Sequence, residues 1–193
     1  MKKVLLLMAA AVMSVSITFA QADDKAAKKA AKEAAKALKA EIKAANKVLR
    51  EAQGALNAVD GNIDQANALI ESAMANKHTA SNPDTWYTAG KIQEKIYNSE
   101  NEKMYLQQAY DQAKFFGSLS KMFNYFIICD SLEQIPDEKG KVAVKYRPEM
   151  SELLSRIRIN LVSGGVTYFN ENNNEKAFEL FSQFFDVAFA FFL

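Results

Sequence analysis

Apolar side chains recur at steps of three and four over most of this chain, which predicts an all-α fold. Leu38, Ile42, Ala45, Leu49, Ala52 and Leu56 form one narrow seam within an Ala- and Lys-rich stretch, 23–58. Before Leu38 that stretch offers only alanine, so residues 23–46 read as a solvated helical extension. Phe116, Leu119, Phe123, Phe126 and Ile127 keep helical spacing, as do Leu153, Leu154, Ile157 and Leu161. Pro136 to Gly140 and Arg147-Pro148 mark a loop between them. The spacing predicts a lengthened antiparallel hairpin over 114–157 with the loop 133–147 at its tip. Val142, Val144 and Tyr146 alternate there, which suits a short extended piece.

A finer pattern lies over this periodicity. Leu161, Gly164, Gly165 and Tyr168 share one helix face, and Ala177 and Phe181 share the face of a second. Asn170 to Asn174 supply a turn whose asparagines tolerate left-handed backbone and cap helix starts. Small residues at such places let two helices cross closely. Trp86 and Gly90 repeat the pattern after the cap Asn82-Pro83, with Leu106 and Ala109 expected on the second helix. A weaker copy places Gly54, Ala66, Ile70 and Ala73 at the same offsets. The anchors Arg50, Trp86 and Leu161 stand 36 and 75 residues apart. Gly54, Gly90 and Gly165 are each expected at a helix crossing.

These offsets resemble the W-x2-L-G-x2-Y and A-x3-F signature of tetratricopeptide repeats, whose period is about 34 residues. The matches fall at about 47–80, 83–116 and 158–191, inside a domain 47–193. The segments PDEKGKV and RINLVSGGVTYFNENN are similar to those of exported tetratricopeptide proteins of Gram-negative anaerobic bacteria. The resemblance implies a right-handed α-α superhelix and a scaffold that binds a peptide or protein segment without catalysis. It also implies a groove lined by first helices. The expected contacts there are Tyr87, Lys91, Glu94 and Lys95, with Phe169 and Asn170. Glu51 and Ala55 stand where a clamp for a C-terminal carboxylate would begin, so that ligand is not expected.

Lys2 and Lys3, the apolar run from Val4 to Phe19, and Ala20 and Ala22 read as a signal peptide, 1–20. Export to the periplasm or cell surface follows as an expectation, and no stretch is long enough to span a membrane. Without Lys2 and Lys3, 22 basic residues face 23 acidic ones, a balance that argues against a nucleic-acid partner. Charge is nevertheless uneven. Lys28, Lys32, Lys36 and Lys39 recur at helical steps and suit an anionic envelope polymer, the alternative expectation.

Isolated chemistry is sparse. His78 has no accompanying ligands at metal spacing. Ser163-Gly164-Gly165 follows no strand and is not a nucleophile elbow. Cys129 follows Phe126, Ile127 and Ile128 and reads as a small buried hydrophobe. No cofactor, metal or catalytic group is expected. Seven of the thirteen phenylalanines fall in the last sixteen residues, an apolar ending for a solenoid that needs a polar cap. The expectations are a longer natural chain, self-association through this Phe-rich helix, or local folding-back.

Overall fold

A computed structural model of the protein describes residues 24–58 and 61–191. Among these the chain forms seven α-helices and no strand: α1 (Asp24–Asn57), α2 (Ile63–Ala75), α3 (Pro83–Tyr105), α4 (Gln112–Glu133), α5 (Arg147–Ile157), α6 (Ile159–Asn170) and α7 (Asn174–Phe191). No described helix is long and apolar enough to cross a membrane. The expected export signal, 1–20, lies outside the described residues, as do the side chains of Phe189, Phe191 and Phe192.

Contacts divide the chain into two units, Met1–Ala40 and Glu41–Leu193. The described part of the first is helical, and its side chains from Lys28 onward are exposed. Ala and Lys form helix readily but give that stretch almost no bulky face to bury. In the second unit, Leu49, Ala52 and Leu56 cluster with Ala66, Ile70 and Ala73 of α2 and with Ala89 and Ile92 of α3.

The larger core surrounds α4. Its Phe116, Leu119, Met122, Phe123, Phe126 and Cys129 meet Met150, Leu153 and Leu154 of α5, Leu161 and Tyr168 of α6, and Leu180 of α7. Burial pushes the Cys129 thiol up to about 12, with Glu133 and Asp130 adding to the shift, so it packs as a neutral side chain. Helix starts follow local chemistry. Asn62, Asn82 and Asp111 each accept a backbone N–H from the first turn of α2, α3 and α4. Asn172 takes φ 60° in the turn before α7, the left-handed backbone expected there.

Two of the three expected crossings are present. A Cβ added at Gly90 would lie 2.2 Å from the Phe126 ring, and one at Gly165 would lie 2.5 Å from the Phe181 ring. Gly54 is the exception: it is exposed and nothing lies within 4 Å of an added Cβ. The buried small residue beside it is Ala52, two positions earlier and on the opposite side of the helix. The expected crossing at Gly54 is therefore wrong.

The hairpin boundaries also differ from expectation. Leu106 caps α3 and is exposed, and Ala109 precedes α4, so neither belongs to a second helix. Glu100 fixes this longer turn. Its buried carboxylate accepts the Asp111 N–H at 2.9 Å and pairs with Lys103 at 2.7 Å. Consequently α4 packs chiefly along α3 rather than along α5. The stretch 147–170 is interrupted at Arg158, whose αR backbone keeps the path helical between α5 and α6.

Candidate functional site

Asn82 and Pro83 start α3 and set the register of its outward side. Asp84, Tyr87, Lys91 and Glu94 recur at steps of three and four, so they line one face. The residues that meet this face come from the same chain. Tyr146 stacks on Tyr87 with ring centroids 3.8 Å apart and planes 10° apart. Its hydroxyl donates to Asp84 Oδ1 at 2.6 Å. Tyr87 in turn donates its hydroxyl to Glu149 Oε2 at 2.6 Å, and Lys91 Nζ reaches Glu149 Oε1 at 3.1 Å. Lys91 also pairs with Glu94.

Electrostatics tighten this arrangement. Burial raises the Tyr87 pKa, and the negative Glu149 raises it further. The bond from Tyr87, helped by Lys91, holds the Glu149 carboxyl below its ordinary range. Burial alone would lower the Lys91 ammonium pKa, but Glu94 and Glu149 more than offset it. The segment 145–149 is anchored from behind by Glu133, whose buried carboxylate accepts the N–H groups of Lys145 at 2.7 Å and Tyr146 at 2.9 Å. Arg147 pairs with the buried Asp130 at 3.2 Å.

The other expected contacts lie elsewhere. Lys95 donates to the Leu56 carbonyl at the end of α1. Phe169 and Asn170 sit at the end of α6 and are exposed. The structure thus brings Tyr87, Lys91 and Glu94 together, engages Lys95 with the end of α1 and leaves Phe169 and Asn170 at the end of α6. Lys28, Lys32, Lys36 and Lys39 are all exposed on α1. His78, in the turn before α3, lies 3.3 Å from Glu41. Trp86 is half-buried beside Tyr125, with its Nε1–H given to the Ala80 carbonyl at 2.7 Å, a packing role.

None of the family models, curated proteins or solved structures compared with the chain matches it. Its surface must speak for itself.

An open apolar surface lies on α6. This helix carries no charged residue. Ile159 is 60% exposed, Val166 48% and Phe169 62%, with Val162 half-buried between them. On α7, Phe178 and Phe185 are 75% and 62% exposed. Reading α6 as a groove-lining helix already pointed to Phe169. The docked pair Tyr146 and Glu149 was not foreseen; the only sequence signal was the alternation of Val142, Val144 and Tyr146.

Proposed function

We propose that this protein is an exported helical scaffold that binds a protein segment and carries out no catalysis. The reading treats the hairpins α3–α4 and α6–α7 as tetratricopeptide-like units of a right-handed superhelix. What carries it is the uncharged outer face of α6, where Ile159, Val166 and Phe169 stand in water. Contiguous apolar surface of this kind is uncommon on a protein with no partner. The crossings at Gly90 and Gly165 support the repeat character of the two hairpins. Export rests on the amino-terminal pattern of basic, apolar and small residues.

Tyr87, Lys91 and Lys95 spend their polar groups on Glu149, Glu94 and Leu56. The weight of partner contact therefore falls on Phe169 and its neighbours. Ile159→Ser with Phe169→Ser alters only exposed positions and should leave the helical signal unchanged. It should also remove the proteins that co-purify after mild cross-linking of intact cells. An unchanged set of cross-linked proteins would contradict the reading.

A second reading, attachment to an anionic envelope polymer, is favoured by the exposure of Lys28, Lys32, Lys36 and Lys39 on one stretch of α1. Contacts of that type weaken steeply with ionic strength. Retention on envelopes that survives both added salt and deletion of 23–40 would remove it.

A further inference from the structure

The geometry points to a second copy of this chain as the occupant of the α6–α7 outer face, an inference that rests on the binding-face reading above. Gly164 and Gly165 orient the hairpin. An added Cβ at Gly164 would meet Phe116 of α4 and Leu180, whereas one at Gly165 would meet Phe181. A helix turns by about 100° per residue. Continuing round α6 past Gly165, Val162, Val166 and Phe169 face away from α4. The same count round α7 from Leu180 past Phe181 places Phe178 and Phe185 on that side too. The outward residues of both helices therefore form one surface.

Spacing identifies the shape of the occupant. Residues 159, 162, 166 and 169 follow steps of three, four and three, and the exposed residues 178 and 185 stand seven apart. Both are heptad seams, which accept the knobs of another helix. Size identifies the occupant further. The α7 seam presents phenylalanine rings, while the α6 seam is Ile159, Val162 and Val166 until Phe169. A two-fold axis sets the α7 seam of each copy on the α6 seam of the other, large side chains over smaller ones. That is the self-complementarity an isologous interface demands. With no charge on α6, like-charge repulsion does not oppose the pairing on that helix.

Area is sufficient. At the exposures given, Phe169, Phe178 and Phe185 leave roughly 300–500 Å² of ring surface in water per copy. Two copies thus bury roughly 600–1,000 Å² from these rings alone, before Ile159, Val166 and the polar rim are added. The total approaches the roughly 1,200–2,000 Å² of a standard interface.

Sedimentation of the purified protein over a concentration series tests this. The expected result is a shift from one to two chain masses, with Val166→Glu and Phe178→Lys each held at one. Mixing the two variants should restore the doubled mass, because one α6–α7 contact becomes a Glu–Lys pair and the other keeps its native residues. Recovery on mixing also shows that both variants are folded. A wild-type protein that stays at one mass, a doubled mass that persists in either variant, or a mixture of folded variants that fails to pair would each overturn the inference. If a wild-type monomer still loses its cross-linked partners on Ile159→Ser with Phe169→Ser, the second copy is excluded and the binding face stands. If neither assay responds, both fall.

Discussion

Gly54, Gly90 and Gly165 were each expected at a helix crossing and have different surroundings. Gly90 is buried beneath the Phe126 ring, itself fully buried, so a methyl group there has no room. Gly90→Ala should cost about 1–3 kcal/mol through overpacking. Gly54 faces open space in the body of α1, where glycine is a poor helix former. Gly54→Ala should stabilise by up to about 1 kcal/mol. Urea midpoints of the two variants should therefore move in opposite directions, and a shift of the same sign in both would contradict these environments. Chain-local features were legible at this scale. The cap at Asn82 and the left-handed Asn172 depend on neighbours a few residues away. The fate of Gly54 depended on which of two nearby small residues, Ala52 or Gly54, turned toward the core, and a weak repeat match does not decide that.

The helices themselves were legible where their apolar period was strong, as in α4 and in the seam of α1. Their ends and partners were less so. The α3–α4 turn is held by a buried glutamate, Glu100, and nothing local distinguishes it from the surface glutamates around it. Its bonds to Lys103 and the Asp111 N–H hold the carboxyl below its ordinary value of 4.5. In the fold it therefore binds fewer protons than in the unfolded chain. The stability it contributes is complete above about pH 4.5 and is lost as pH falls through the lower, folded value. Glu100→Gln should cost about 1–3 kcal/mol at neutral pH, because a buried charge-assisted bond is lost. The same substitution should make the acid limb of the stability curve shallower. An acid limb identical to that of the wild-type protein would show that Glu100 is not the group that titrates.

For the whole molecule, the sequence pattern foretold an all-helical chain with paired helices, and the tetratricopeptide resemblance implied α3 and α6 as faces for a partner. The structure separates these two. Tyr146 and Glu149 come from a distant part of the chain to meet Tyr87 and Lys91, an encounter that helical periodicity cannot foresee. The face on α6 keeps its apolar residues in water, and the outward rings of α7 continue it. A scaffold that binds through this surface has its contacts at Val162, Val166 and Phe169 rather than at Lys95.

A photo-reactive amino acid placed at Phe169 and activated in living cells asks whether a protein sits against that surface. The account predicts a discrete protein adduct at Phe169 that disappears when Ile159 and Val166 become serine. A side chain at Phe169 that forms no protein adduct, while the same probe on another interface of the cell does, would contradict it.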